Sequence, residues 1–308
     1  MGISITEDKI FQWKDQYCIG VEEIDNAHQQ LFSIVRRLVK NLESGDYDKN
    51  KTTCLEAIKF LKQHTVEHFA QEEEFQLKVG YSGYENHKRM HDNMREVTIP
   101  ALEKQMLSSD FSVESVEHFV GVCSAWLSAH IMFEDQAITG KIKSRWDVDF
   151  RGDELEILKT HAEEFMSKLF QVNIDIESVH YEGYDLGDVM PYYQIVKASD
   201  NTIHRTIIIP DKKLICSNIS QLMGTEMKTL NEIAMSMFEE LAYTFVTNFI
   251  YKYTGNNDLT LLSNGMVEKN AFKADFESYH PDVSMLWHTA FGHIAFCMKS
   301  VKIGNNQA

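Results

Sequence analysis

Seven polar residues at helix-like intervals constrain this chain more than any other feature. Three pairs among them are separated by four, four and five residues, and residues three to five apart on a helix project from roughly the same side. Three helices that each carry a pair, with a fourth that carries a single histidine, can converge on the interior of a bundle. The seven are His28, His68, Glu72, His87, His91, His130 and Asp135.

The apolar pattern around these residues predicts four helices. Apolar side chains recur at three- and four-residue steps from about residue 24 to Gly45, from 51 to 79, from 84 onwards, and after Asp110, where Ser112 is a suitable N-cap. Pro100 is predicted to kink or end the third helix. Joined by short loops, the four predict an up-down four-helix bundle.

Metal coordination explains the seven residues better than a purely structural role does. A single histidine on an apolar helix face is usually a hydrogen-bonded core residue, but five histidines and two acids buried without partners would be very costly. The set is also too large for one tetrahedral zinc ion. We therefore predict two metal ions bridged by the carboxylates. Imidazole-rich sites accept zinc, copper, iron or nickel, so the residues alone leave the metal open.

Three nearby side chains are expected outside the ligand set. Glu73 and Glu134 fall off the inward-facing side of their helices and are predicted to be solvated. His64 lies one turn before His68, where it either hydrogen-bonds a ligand or is simply packed.

The pattern changes after residue 147, and we place a boundary there between domains at 1–147 and 148–308. A helix is predicted at about 154–170 and a longer one at about 229–253. Strands are predicted at 192–196, 203–209 and 259–262, with further strands within 285–299 that turn at Gly292. The predicted fold class is therefore a helical bundle followed by an α+β domain.

Charge and cysteine content limit the partners and the compartment. The formal net charge of −16 argues against nucleic acid and against docking on anionic membrane. The five cysteines are scattered and lack a C-x-x-C pair, which is typical of reduced thiols in the cytosol. With no apparent signal peptide and no run of about 18 apolar residues, we expect a cytoplasmic protein.

Four motifs resemble those of the hemerythrin family over about residues 10–140. They are residues 21–32 around the first histidine, the H-F-x-x-E-E-like run at 68–73, Gly80-Tyr81 with the two histidines after it, and Trp126-Leu127 with the last pair. The resemblance implies two iron ions in a non-haem centre with an oxo or hydroxo bridge. It implies that one iron is held by His87, His91 and His130. It also implies that His28 and His68 hold the other iron with one position open, and that Glu72 and Asp135 bridge the two.

The same resemblance implies that dioxygen binds at the open iron. Ferritin-like di-iron oxidases use about four carboxylates and two histidines, whereas neutral imidazoles stabilise high-valent iron less, so the histidine-rich set favours binding over oxidation. Trp126, Leu127 and Ile131 lie within a turn of His130 and are predicted to form a dry oxygen pocket. Ordinary core packing is the alternative for these three.

Residues 231–248 resemble the central helix of CheX-type chemotaxis phosphatases, within a likeness that covers about 152–302. That family removes phosphate from the aspartyl-phosphate of response regulators with a Glu-x-x-Asn pair. Glu240 takes the acid's position, but Tyr243 stands where asparagine is expected, and a phenol lacks the paired donor and acceptor of a carboxamide. Asn248 would substitute only with unusual helix geometry. The resemblance also implies a homodimer formed through the second domain.

Together these interpretations predict an oxygen or redox sensor that relays the state of its di-iron centre to a chemotaxis or two-component partner, such as a phosphorylated response regulator. The alternatives are an oxygen-regulated aspartyl-phosphate phosphatase that uses Glu240 and Tyr243, and a simple oxygen or iron storage protein.

Overall fold

The computed structural model describes residues 9–44, 47–147, 153–183, 186–256, 258–267, 269 and 279–303. The chain divides into two compact units. The first contains residues 1–147 with the short stretches 220–226 and 231–237, and the second contains 148–219, 227–230 and 238–308. The described residues 9–21 precede the first helix and are called the N-terminal arm; residues 1–8 lie outside the described part of the chain.

The first unit contains the predicted bundle of four long helices. They comprise α1 (Glu22–Ser44), α2 (Tyr47–Val79), α3 (Tyr84–Asn93) continued by α4 (Ile99–Ser108), and α5 (Val113–His130) continued by the short α6 (Gln136–Ile138). Asp25 accepts hydrogen bonds from the backbone N–H groups of Ile19 and Gly20, which fixes the arm to the start of α1. The Ser112 side chain accepts from the Ser115 N–H, and so caps α5 as expected.

Two π-helical turns interrupt the last two helices. One spans Met94–Thr98 and the other spans Ile131–Asp135. Of the two outcomes predicted at Pro100, the end of the helix is wrong, because the chain stays helical to Ser108; the kink stays a prediction. Pro100 falls in the first turn of α4, directly after the π turn, where a missing N–H is tolerated.

The second unit contains an antiparallel sheet and the helix α7 (Glu154–Phe170). The strands are β1 (Asp175–Ser178), β2 (Tyr192–Ala198), β3 (Thr202–Pro210), β4 (Leu259–Met266), β5 (Val283–Thr289) and β6 (Gly292–Lys302), with α8 (Lys212–Met223) and α9 (Glu232–Thr254) between β3 and β4. They order as β1-β5-β6-β3-β2-β4, with every pair antiparallel. The predicted α+β class is confirmed.

Local chemistry explains most of these elements. Strand β2 alternates strictly between buried and partly exposed residues, as expected of a strand with one covered face. Gly292 opens β6 with φ at 135°, a conformation that glycine adopts readily. Two elements were not predicted. Strand β1 has only four residues. Helix α8 was overlooked although its buried apolar residues recur at helical steps.

One helical stretch, Val113–Ile138, is long and apolar enough to cross a membrane, but 78% of its most apolar window is buried inside the protein. That burial is typical of a core helix, and the apolar residues of α5 here form the centre of the bundle.

Candidate metal centre

The seven predicted residues lie at the centre of the bundle, each no more than 4% exposed. Helix α1 contributes one residue, α2 and α3 contribute two each, and α5 with its π turn contributes the last two. The imidazoles form two groups that share Glu72.

The larger group contains three imidazoles. The Nε2 atoms of His87, His91 and His130 lie 3.1 to 3.2 Å from one another. Nitrogen ligands about 2.1 Å from one cation are about 3.0 Å apart when they subtend right angles and about 3.4 Å apart in a tetrahedron. The observed spacing lies between these two values, so the three nitrogens can bind one cation in either geometry.

The smaller group contains two imidazoles. The rings of His28 and His68 lie 4.6 Å apart and are nearly perpendicular, at 83°. Two nitrogens supply fewer ligands than three, so a cation held here keeps more positions for solvent or a small molecule.

Glu72 and Asp135 reach both groups, with one oxygen directed to each. Oε1 of Glu72 lies 2.8 Å from His87 Nε2, while its Oε2 lies 3.6 Å from His68 Nε2. Oδ1 of Asp135 lies 3.1 Å from His130 Nε2, while its Oδ2 lies 3.3 Å from His28 Nε2. This division of oxygens is what two bridging carboxylates require.

The π turn explains how residues five apart meet. The expectation that residues five apart share one side does not hold for a regular α-helix, where His130 and Asp135 would point about 140° away from each other because each residue advances about 100°. The hydrogen bonds of a π turn run from residue i to i+5. Because Ile131–Asp135 is such a turn, the aspartate returns to the side of the histidine and faces the centre.

The donor atoms fit a pair of cations. Oε2 of Glu72 and both carboxylate oxygens of Asp135 are buried and make no hydrogen bond among the described residues, although imidazole nitrogens lie close by. Two buried carboxylates and several nitrogens aimed at common points would be strongly unfavourable unless cations occupy those points.

Electrostatics keeps most of these ligands in the protonation state that metal binding needs. Burial lowers the pKa of His28 to about 4 and also lowers the pKa values of His68 and His91, so these rings stay neutral and keep a lone pair. Burial opposes the charged form of His87 too, but Glu72 and Asp135 prevail and raise its pKa to about 10. A metal ion must therefore displace a proton from His87.

Aromatic rings and one amide hold the ligands in place. Phe69 stacks on His91 with ring centroids 3.8 Å apart, and Trp126 stacks on His130 at 4.2 Å. Gln76 donates from Nε2 to Oε1 of Glu72 at 2.9 Å. Gln76 follows Glu72 by one turn, and that spacing is the signal that would have identified it.

The structure corrects the expectation for Glu73 and decides between the two alternatives for His64. Glu73 was predicted to be solvated, but its Oε1 lies 3.2 Å from His91 Nδ1. The carboxylate thus accepts the Nδ1–H and leaves Nε2 as the ligand atom. For His64 the packing alternative holds, because its ring stacks on Phe60 at 4.9 Å and its Nε2 has no hydrogen-bond partner among the described residues.

Glu134 was also predicted to be solvated, and this was wrong. The Glu134 side chain is 2% exposed and forms an ion pair with Arg145, whose Nη2 lies 2.9 Å from Glu134 Oε1. The Arg145 side chain is 10% exposed. The guanidinium also lies 4.2 Å from the ring of Trp146 and donates to Met90 Sδ at 3.2 Å. The π turn rotates Glu134 towards the interior. Arg145, which is distant in sequence, supplies the positive charge that offsets the cost of burying the carboxylate.

Two of the three residues of the predicted oxygen pocket are buried, and the third, Trp126, is partly exposed and contacts a ligand ring. Trp126 covers His130, which belongs to the three-imidazole group. Leu127 and Ile131 are buried in the same helical stretch. Their role beside dioxygen stays a prediction.

The second predicted site lies on α9. Glu240 and Tyr243 are one turn apart and both are partly exposed. Burial, followed by the charge of Glu239, raises the pKa of Glu240 to about 7. Asn248 is buried and so is not available to an external substrate.

Comparison with known proteins gives relatives for the first half of the chain and distant structural matches for the second. Residues 19–142 match the family model described as Hemerythrin HHE cation binding domain. The bacteriohemerythrin of Clostridium acetobutylicum is 27% identical over 128 residues, which are 41% of this chain and 97% of that protein.

Solved structures resemble the other half only distantly. The chemotaxis protein CheX from Vibrio vulnificus has 14% identity and a TM-score of 0.37, covering 48% of this chain and all of that one. The CheX chain of a CheX-CheY-BeF3-Mg+2 complex from Borrelia burgdorferi has 11% identity and a TM-score of 0.39, covering 49% and 100%. These values are too low to transfer a function. Over residues 19–142, by contrast, the chain carries the hemerythrin-type cation-binding domain that its buried ligands led us to expect.

Proposed function

We propose that this protein is a cytoplasmic oxygen or redox sensor built on a di-iron centre. The single observation that carries the proposal is the division of carboxylate oxygens between two groups of imidazoles. Bound iron would supply reversible attachment of dioxygen coupled to electron transfer. The chain's own residues hold two cations unequally, with three imidazoles on one side and two on the other, and exclude water through burial.

The ligand side chains have distinct tasks in this proposal. His87, His91 and His130 would hold one iron, and His28 and His68 would hold the other, where fewer nitrogens would leave room for dioxygen. Glu72 and Asp135 would each offer one oxygen to either iron and would offset the positive charge. Glu73 orients His91, while Phe69 and Trp126 keep two imidazole rings from rotating.

Metal analysis and visible spectroscopy test the centre. Full-length protein loaded with ferrous iron without air should contain two irons per chain. It should gain a charge-transfer absorption when air is admitted and lose it on degassing. His130→Ala should remove both properties, whereas the exposed control His180→Ala should keep them. Fewer than one iron per chain in the wild type, or equal loading of His130→Ala, would contradict the proposal.

The relay to a signalling partner is the finer part of the proposal. The likeness of α9 to the CheX-type helix suggests a phosphorylated response regulator as the partner and a homodimer as the assembled form. Binding of a beryllofluoride-activated regulator should differ between the air-exposed and degassed states. Equal binding in both states, or none in either, would leave oxygen or iron storage as the better description.

A phosphatase is the second candidate, favoured by the position of Glu240. Residue Glu240 is partly exposed and lies one helical turn from Tyr243. Burial of its carboxyl raises the pKa to about 7, so both protonation states occur at neutral pH. Glu240→Ala should then stop release of phosphate from a regulator, and Tyr243→Phe should lower it if the phenol positions water. No phosphate release in either iron state would eliminate this candidate.

A further inference from the structure

Helix α9 belongs in part to each compact unit of the chain. Residues 231–237 fall in the first unit, which also contains the whole of α5, and from residue 238 onwards the helix falls in the second unit. The helix is continuous over Glu232–Thr254. Its first turns are therefore packed as part of the first unit, and one hydrogen-bonded ladder joins them to the rest of the helix.

Gly121 brings the backbone of α5 directly against the first turns of α9. A Cβ placed on Gly121 would lie 2.6 Å from the Cβ of Ser236 and 2.9 Å from the carbonyl oxygen of Ile233, which is closer than such atoms approach in proteins. Glycine is otherwise an unfavourable residue in the interior of a helix. At this position the missing side chain is what allows the two helices to touch.

A hydrogen bond and a helix cap complete the contact. His118 lies one turn before Gly121 on α5, and its Nδ1 shares a hydrogen bond with Oγ of Ser236 at 2.8 Å. Asn231 caps α9, since its Oδ1 accepts from the Ala234 N–H at 3.0 Å. Four residues of these first turns are no more than 6% exposed, namely Ile233, Ala234, Ser236 and Met237. The start of α9 is thus firmly docked on α5.

The helix on which α9 docks also carries two of the seven metal-centre residues. His130 follows Gly121 on α5, about 13 Å further along the helix axis, and Asp135 lies in the π turn that continues α5. A cation held by both side chains favours the helical geometry that presents them together, and so opposes local opening of α5. An α5 that opens less often offers α9 a more constant docking surface.

The turn of α9 that presents Glu240 and Tyr243 begins one helical turn after Ser236. We propose that the docking of α9 on α5 at Gly121, called here the coupling contact, is the element through which occupancy of the metal centre sets how firmly this turn is held. The two states of the element are first turns of α9 that stay docked on α5 and first turns that detach from it. The inference rests on the proposed metal-binding function and adds to it the route by which the state of the centre leaves the bundle.

Hydrogen exchange of the full-length protein, measured by mass spectrometry, tests the coupling contact. Metal-free protein is compared with protein that has bound ferrous iron without air, and the iron content of each sample is measured. Iron should raise the protection of the backbone amides of residues 233–243 at least about fivefold, while protection in α7 should change less than about twofold. Helix α7 is the internal reference, because all of it lies in the second unit.

Matched variants separate the coupling contact from general effects of iron. Gly121→Ala adds a methyl group that must push α9 away from α5, so the iron-dependent change in residues 233–243 should fall below about twofold while the iron content stays equal to that of the wild type. Ser33→Thr adds one methyl group at an exposed position of α1 and should keep the full change. Adding Ser236→Gly to Gly121→Ala removes the nearest clashing atom and should restore part of the change.

Several outcomes would overturn the coupling contact. If the wild type binds iron but residues 233–243 keep their protection unchanged, this inference fails and the proposed metal centre stands, whereas a wild type that binds no iron removes both. An equal rise in α7 would show general stabilisation instead. Should Gly121→Ala not fold, Ser236→Ala takes its place, since it removes the hydrogen bond to His118 without adding an atom. It should at least about halve the iron-dependent change, and an undiminished change contradicts the inference.

Discussion

The ion pair between Arg145 and Glu134 gives the sharpest stability prediction. Both side chains are almost fully buried and their charged atoms lie 2.9 Å apart. Arg145→Met keeps an unbranched apolar stem but removes the guanidinium, and so leaves the Glu134 carboxylate buried without its cation. Removing one partner of a buried pair costs about 3–5 kcal/mol, because the remaining charge is uncompensated.

A double-mutant cycle measures the coupling energy between Arg145 and Glu134. In the Glu134→Gln background, Arg145→Met should cost only about 1 kcal/mol, mainly the lost contact with Trp146, so the coupling energy should be about 2–4 kcal/mol. The exposed pair Lys62–Glu103, with side-chain exposures of 48% and 28%, is the control. Lys62→Met should cost less than about 1 kcal/mol.

Urea unfolding of the full-length protein at equal iron content measures these differences. Three of its four tryptophans precede residue 148, so fluorescence reports mainly on the bundle. If Arg145→Met lowers the free energy of unfolding by less than about 1 kcal/mol, the reasoning is refuted, because a fully desolvated carboxylate without its cation should cost more. A coupling energy near zero in the double-mutant cycle would also refute it.

Three further predictions follow from particular contacts. Glu73→Ala should weaken iron affinity about 10- to 100-fold in a chelator competition, because His91 loses the acceptor that orients it, while Glu74→Ala, which is exposed, should change nothing. For Glu240, the folded pKa of about 7 lies above its ordinary value of 4.5. Its contribution to stability is therefore complete below about pH 4.5 and declines as pH rises through 7, by about 1–2 kcal/mol after allowance for partial exposure; Glu240→Gln should flatten a pH series of urea midpoints in this range. Ser112→Ala should cost about 1 kcal/mol of thermal or urea stability through the lost N-cap of α5.

Periodicity predicts those parts of this molecule that depend on one face being buried. The bundle helices and α7 can be predicted because their apolar residues recur at helical steps. The inward-facing histidines can be recognised because they are polar residues at positions where that pattern calls for apolar ones. The strand β2 emerges in the same way from its alternation. Such signals are local, and each can be read from one segment without its neighbours.

Features that depend on a second segment were missed. The burial of Glu134 needs Arg145, and the role of Glu73 needs His91 from the next helix; neither partner is visible in the local pattern. Helix α8 was overlooked although its signal is local, since its buried apolar residues recur at helical steps. The helix beyond Pro100 persists because the preceding π turn changes the hydrogen-bond ladder, and no periodic pattern encodes that change.

The π turn at Ile131–Asp135 has a consequence beyond the ligand it aims. Residues after the turn are rotated with the aspartate, including Gln136 and Thr139, whose side chains donate to the carbonyls of Gln16 and Ile19. Deleting a single residue within the turn would restore the regular ladder and rotate everything downstream by about 100°. Asp135 would then no longer face the metal centre, and the N-terminal arm would lose its hydrogen bonds to Gln136 and Thr139. A deletion of one amino acid would therefore disrupt both features.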